Sequence, residues 1–283
     1  MRNVYIIGIG LIGGSFALDL KALKSDVVIY GIDQNEAHLA TALELGLIDK
    51  KAVLEDVKNA DMVLLAIPVN ATLKLLPTLL SLIPKQSIIV DMGSTKEAIC
   101  RIADRHPKRS QFLANHPIAG TEFSGPKAAH LGLFQNKTNI ICDIEKTDLE
   151  LSKKVIAIFE SIGMRIRHMN ARDHDKHIAY VSHLSHISSF MLGKTVIEKE
   201  KNESNIFDMA GSGFESTVRL AKSSPEMWAP IFEQNKTNVI ETLDEYIQNL
   251  THFKQLMESE NFEAIRNEMK NTNYIKTILK GIS

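Results

Sequence analysis

The stretch Val4-Tyr5-Ile6-Ile7-Gly8-Ile9-Gly10-Leu11-Ile12-Gly13-Gly14-Ser15 decides how this 283-residue chain is read. An apolar run short enough to be a buried strand meets glycines spaced as G-x-G-x-x-G, and the amphipathic segment 16–20 follows at once. That order is strand, tight turn, helix. The first glycine lets the backbone turn sharply, the second clears a side chain where a pyrophosphate must approach, and the third lets helix and strand pack closely. The helix start adds free N–H groups and a positive dipole end. Gly8, Gly10, Leu11, Ile12 and Gly13 are therefore the expected phosphate-side residues. Glycine turns after strands are common, so the pattern needs context. A second apolar run, 27–32, supplies it by ending in Asp33, 20 residues past Gly13. A carboxylate there can accept hydrogen bonds from both adenosine ribose hydroxyls and would repel a 2′-phosphate, which favours NAD over NADP. The plainer role, a turn cap, leaves the rest of the unit unexplained.

Composition narrows the field. Lys and Arg total 33 against 34 Asp and Glu, with neither sign concentrated, so neither nucleic acid nor an anionic membrane is an expected partner. At 44% hydrophobic residues the chain can bury one large or two ordinary cores, and two domains are expected. Cys100 and Cys142 make no metal spacing and no disulfide framework, which suits a reducing cytosol. The chain enters its first strand without a signal-like segment, and the apolar run 62–69 is too short to span a bilayer. A cytoplasmic protein is expected.

Strand and helix signals alternate through residue 169 in the manner of a doubly wound α/β fold. The continuous apolar run 60–69 suits a parallel strand covered on both faces, and places Ile67 and Pro68 at the carboxyl edge where ligands bind. The strand 87–91 opens into Met92-Gly93-Ser94-Thr95-Lys96 at the same edge, and 111–115 leads into His116-Pro117-Ile118-Ala119-Gly120-Thr121-Glu122. Near residue 168 strand signals cease and helical periodicity takes over. The expected division is a Rossmann-like domain, 1–168, and an all-α domain, 169–283. In the first helix of the latter, Asp175, Ala179, Ser182, His186, Ser189 and Gly193 recur at offsets of three and four and line one small, polar face.

Four residues at the ligand edge can carry chemistry: Ser94, His116, Thr121 and Glu122. An imidazole can take a proton from a hydroxyl while hydride leaves the same carbon; it can equally cap a strand. Ser94 can orient that hydroxyl, but on residue type alone it reads better as the N-cap of a helix with Glu97 completing a capping box. Arg219, behind the glycine-rich turn 211–213, could hold a carboxylate bidentately, although most helical arginines are merely solvated. The pairs His174/His177 and His183/His186 have no cysteine or carboxylate set to complete a cage, so no metal is expected.

Over nearly its full length the chain resembles the prephenate/arogenate dehydrogenase family of tyrosine biosynthesis. The pieces that carry the resemblance are Gly8 to Ser15, Asp91 to Lys96, His116-Pro117-Ile118-Ala119-Gly120-Thr121-Glu122, His174-Asp175 through Ser182-His183-Leu184-Ser185-His186, and Gly213-Phe214 through Arg219. The His-Pro-x-Ala-Gly and Ser-His-Leu-x-His pieces are its most specific parts. Ser185 departs from the proline usual there. The resemblance implies NAD-dependent oxidative decarboxylation of prephenate. His116 would accept the hydrogen bond of the ring hydroxyl and Ser94 would share it. His186 and Arg219 would bind carboxylates, Ser182 and Asp175 would support that wall, and Thr121 and Glu122 would stand at the mouth. Separately, a helical domain with this much apolar periodicity and no sheet of its own commonly dimerises, so a homodimer through it is the expected assembly. Arogenate as substrate, a β-hydroxyacid dehydrogenase, and a non-catalytic NAD-binding protein are the rival readings.

Overall fold

The structure, a computed structural model, describes residues 1–203 and 205–280. Residues Met1–Lys236 form one compact unit and Thr237–Ser283 another. The first unit opens with β1 (Asn3–Ile7), α1 (Leu11–Leu23), β2 (Val28–Ile32), α2 (Glu36–Glu44), β3 (Lys50–Lys51), β4 (Met62–Leu65) and α3 (Val69–Leu82). It continues through β5 (Ile88–Asp91), α4 (Glu97–Ala103), β6 (Phe112–Pro117), β7 (Thr138–Cys142), α5 (Leu149–Ser161) and β8 (Arg165–Met169). The strands make one sheet in the order β3-β2-β1-β4-β5-β6-β7-β8.

Side chains alternate across each strand, so the sheet feeds two cores. Ile6, Ile29, Leu64, Val90, Leu113 and Ile141 pack with Phe16 and Leu20 of α1 and Val155 and Phe159 of α5. Tyr5, Ile7, Val63, Leu65, Ile89 and Phe112 pack on the other face with Leu76, Leu79 and Leu80 of α3 and Ile99 and Ala103 of α4. Burial on both faces is why the central strands are mostly apolar, with β4 apolar at every position. The fold is a doubly wound, mostly parallel sheet followed by helices.

One feature of the sheet goes beyond the alternation seen in sequence. β7 runs antiparallel to β6, and β8 is parallel to β7, so the last two strands oppose the rest. The connection between Pro117 and Thr138 contains one 3₁₀ turn, Pro126–Ala128, instead of a crossover helix, and therefore returns on the same edge. This loop is tied to α1: the His130 amide donates to Ser15 Oγ at 3.0 Å, and the Gly132 amide donates to Asp19 Oδ1 at 2.8 Å.

Beyond β8 the described chain is helical, with α6 (Ala171–Ile178), α7 (Leu184–Glu200), α8 (Ser212–Val218) and α9 (Pro225–Gln234) in the first unit. Residues Ala179–His183 form a π turn between α6 and α7. The expected helical face from Asp175 to Gly193 assumed unbroken α periodicity; the wider turn inserts a register step at its middle. His183 is buried as a result, while Ser182 and His186 are half-buried. At the departure noted above, Ser185 Oγ donates to the Val181 carbonyl at 3.3 Å. Arg219 opens a 3₁₀ turn, Arg219–Lys222, just past α8.

The second unit comprises most of α10 (Lys236–Glu258), with α11 (Phe262–Thr272) and α12 (Ile275–Lys280). Within it His252 Nε2 meets Glu268 Oε1 at 2.7 Å. Among the described residues no helix is long and apolar enough to cross a membrane.

Candidate active site

The glycine turn is dictated by steric limits. Gly8 sits at φ +93°, and a Cβ there would lie 2.4 Å from the Ala66 carbonyl oxygen. A Cβ on Gly13 would fall 2.1 Å from the Gly8 carbonyl oxygen. Gly10 differs: the nearest atom to its would-be Cβ is the Gly125 amide nitrogen at 3.9 Å, so the space beside it is open. α1 starts at Leu11 with Gly10 as N-cap, and the amides of Leu11, Ile12 and Gly13 belong to a first turn, where N–H groups lack helical partners. Asp33 closes this cradle. Its Oδ2 accepts the Ile9 amide at 3.1 Å and its Oδ1 the Asn35 amide at 2.9 Å, which fixes the carboxylate at the end of β2 beside the glycine turn. The open space at Gly10, the unpaired first-turn amides and the anchored carboxylate fit a dinucleotide's pyrophosphate and ribose. Ile67 and Pro68 follow β4 and lead into α3, whose N-cap is Pro68.

A buried polar hub holds the ends of β5 and β6. Lys96, fully buried, pairs with Asp91, and its Nζ also donates to the Asn115 carbonyl at 2.7 Å. Asp91 Oδ1 accepts the Gly93 amide at 3.0 Å, so the loop carrying half-buried Ser94 is fixed at both ends. Ser94 does not cap α4. The helix begins at Glu97, and its N-terminal amides are capped from another element: Lys96 N donates to Asp175 Oδ1 at 2.7 Å and Glu97 N to Asp175 Oδ2 at 2.9 Å. The capping box expected from Ser94 and Glu97 is thus absent, because a buried carboxylate of α6 takes its place.

His116 stands at the C-terminal end of β6, 9% exposed. Its Nδ1 lies 2.8 Å from His174 Nε2, and His174 Nδ1 lies 2.8 Å from Asp175 Oδ1. Burial, reinforced by the neighbouring His174 and Lys96, holds the His116 imidazole well below the ordinary histidine pKa. It is therefore neutral at physiological pH and able to accept a proton. Burial likewise depresses His174, against the pull of Asp175.

A second cluster stands on α7 and α9. The His186 and Trp228 rings stack at 3.5 Å, and His186 Nδ1 lies 2.9 Å from the Ser182 carbonyl. Burial pushes His183 down to about 4. Asn235 Nδ2 donates to the Asp175 carbonyl at 2.7 Å and lies 3.1 Å from His183 Nδ1, linking the two clusters. Gln234 accepts from Thr95 Oγ1 at 2.8 Å, tying the end of α9 to the Ser94 loop. Arg219, half-exposed, meets Glu122 at 3.2 Å. Its positive charge also helps to hold down the pKa of His186, after burial.

The geometry therefore groups Ser94, His116 and Asp175 around the hub, and Ser182, His186, Arg219 and Glu122 around the second cluster. Asp175 is 2% exposed with its carboxylate fully engaged, so it stands behind the wall instead of on its surface. Thr121 is exposed, its Oγ1 accepting the Phe123 amide at 3.2 Å. Sequence reasoning gave no role to Lys96, Trp228, Asn235 or, above all, His174, which entered only as part of a motif and of a rejected metal pair. Among the described residues no group of three His, Cys, Asp or Glu side chains is placed to hold a metal.

Residues 16–168 match the family described as prephenate dehydrogenase, nucleotide-binding domain, and residues 170–271 match prephenate dehydrogenase, dimerization domain. The prephenate dehydrogenase of Bacillus subtilis is 33% identical over 271 residues, covering 93% of this chain and 72% of the relative. The cyclohexadienyl dehydrogenase of Zymomonas mobilis is 30% identical, covering 99% and 96%. The crystal structure of Aquifex aeolicus prephenate dehydrogenase in complex with hydroxyphenyl propionate and NAD+ superposes with a TM-score of 0.91 at 32% identity, covering 99% of this chain and 98% of that one. Synechocystis arogenate dehydrogenase gives 0.79 at 26% identity, covering 98% and 100%.

Proposed function

The chain belongs to the prephenate dehydrogenase family, and from that premise we propose that it converts prephenate to 4-hydroxyphenylpyruvate and CO2. NAD, when bound, supplies the hydride acceptor. The observation that carries the reading is a neutral, buried His116 at the sheet's ligand edge, with one ring nitrogen engaged by His174 and the other left for substrate.

In this reading His116 Nε2 accepts the hydrogen bond of the C4 hydroxyl and draws its proton as hydride departs from C4. Ser94 steadies the same hydroxyl. The C1–carboxylate bond then breaks, CO2 leaves, its electron pair completes an aromatic ring, and the phenolic oxygen takes the proton back. No net proton is consumed, so a base that starts and ends neutral suffices. Arg219 and His186 hold substrate carboxylates, with Glu122 restraining Arg219 and Ser182 restraining His186. Thr121 contributes at the mouth. Asp33 receives the adenosine ribose, the amides following Gly10 receive the pyrophosphate, and Ile67 and Pro68 flank the cofactor.

We assign cofactor binding to residues 1–168 and substrate binding with dimerisation to 169–283, with the protein a cytoplasmic homodimer. The match to a dimerization domain supports the dimer, as do exposed Ile247, Leu250, Phe253, Met257, Phe262 and Met269 on α10 and α11. The test is NADH or NADPH formation by the purified protein with prephenate or arogenate, each with NAD or NADP. Turnover is expected with prephenate and NAD. Preference for arogenate would move the substrate assignment, and silence with all four pairs would leave a nucleotide-binding protein without this activity.

A further inference from the structure

The hub contains a three-membered chain of ring and carboxylate contacts that capping and packing do not require, and its polarity can be read end to end. Asp175 lies at one end, where its carboxylate accepts two backbone amides of the α4 N-terminus. An ionised carboxylate is an acceptor only, so His174 Nδ1, 2.8 Å from Asp175 Oδ1, must carry its hydrogen. Burial favours neutral His174, which leaves its Nε2 bare. The atom 2.8 Å from that bare nitrogen is His116 Nδ1, which must then be the donor. His116 Nε2 is left without a hydrogen. Free imidazole prefers the opposite tautomer, with hydrogen on Nε2, so the outcome needs the chain.

We propose that His174, backed by Asp175, is a positioning residue that fixes His116 in the tautomer whose Nε2 is a bare acceptor. The proposal deepens the reading of His116 as the group that receives the substrate hydroxyl. It also explains why Asp175 does two jobs with one carboxylate. By capping α4 its two oxygens are held in place as acceptors, and that sets the direction of both histidine hydrogen bonds. The same logic governs catalytic histidines oriented by a carboxylate, where neutralising the carboxylate reverses the tautomer and costs up to ~10⁴-fold in rate. The charged and titratable groups acting on His116 are Lys96 from the β5–α4 loop, His174 from α6 and His183 from the π turn; Asp175, Lys96 and Asp91 act on His174.

The direct test is 15N NMR of the histidine rings at neutral pH, with the His116 signals identified by their loss in His116→Asn. The expected result is a protonated, pyrrole-type Nδ1 and a bare, pyridine-type Nε2 for His116. A protonated Nε2 would overturn the proposal, and this readout is independent of whether prephenate is turned over. Kinetics supply the second arm. His174→Gln keeps an acceptor where Nε2 lies, whereas His174→Leu removes it. The leucine variant is expected to lose roughly 10- to 100-fold in kcat, with KM for substrate and affinity for NAD held, and its acid limb in kcat/KM moved. The glutamine variant is expected to recover most of the rate. Equal rates in the two variants, or a leucine variant matching wild type, would contradict the assignment.

Discussion

The glycine cradle and the histidine wall are built by opposite means. The cradle is local: Gly8 through Gly13 and one carboxylate at the end of the neighbouring strand lie close in sequence, and a Cβ added at Gly8 or Gly13 would strike backbone at 2.4 or 2.1 Å. The wall is assembled from afar. His116 meets His174 across 58 positions of chain, Asp175 caps a helix 79 positions earlier, and Thr95 reaches Gln234 across 139. A local device tolerates change elsewhere but not at its own backbone. A distributed device instead depends on partners that no short motif contains.

That contrast can be broken or sharpened by substitution. The largest effect is expected from His116→Asn, which should lower kcat by ~10²- to 10⁴-fold while NAD affinity, measured by titration calorimetry, stays at the wild-type value. Loss of both together would mean that the two regions are one. Next comes Lys96→Ala, which strands a buried carboxylate at Asp91 and should remove about 3–5 kcal/mol of stability in denaturant unfolding. A change confined to activity would contradict the structural role given to that pair. In the cradle, Gly13→Ala should cost about 1–3 kcal/mol through forced backbone movement and weaken NAD binding, leaving the ring tautomers of the wall unaltered. Arg219→Ala should raise KM for substrate about tenfold with little change in kcat, the scale of one charged hydrogen bond at a half-exposed site.

The most gradual effect concerns pH and distinguishes the regions by their titrating groups. His116, His174, His183 and His186 of the wall all have depressed pKa values in the fold, His183 from 6.5 to about 4. The unfolded chain therefore binds more protons below about 6.5, and stability should fall as pH drops from there toward 4. A melting series over that range is expected to show a decline that His183→Asn partly removes. A curve unchanged by that substitution would take His183 out of the account.

The same contrast explains what could be read from the chain before any coordinates. Gly8-x-Gly10-x-x-Gly13 and Asp33 were legible because spacing alone encodes strand, turn and helix. Ser94, His116 and Arg219 stood as candidates beside ordinary structural roles on residue type, and only the resemblance gave them and His186 particular roles. The reversed β7–β8 edge was not legible: a strand signal carries no direction, and the loop 118–137 decides it. The π turn was hidden because apolar periodicity is counted on an α-helical grid. His174 was overlooked for a similar reason. Adjacent positions on a helix do not face one another, so nothing in His174-Asp175 announces a contact closed through β6 and α4.

Oxidative decarboxylation is read out by measuring NADH and CO2 together as the purified protein consumes prephenate in the presence of NAD. One NADH and one CO2 per prephenate, with 4-hydroxyphenylpyruvate as the product, is the expected result. NADH without CO2, or neither from prephenate, would contradict oxidative decarboxylation at this site.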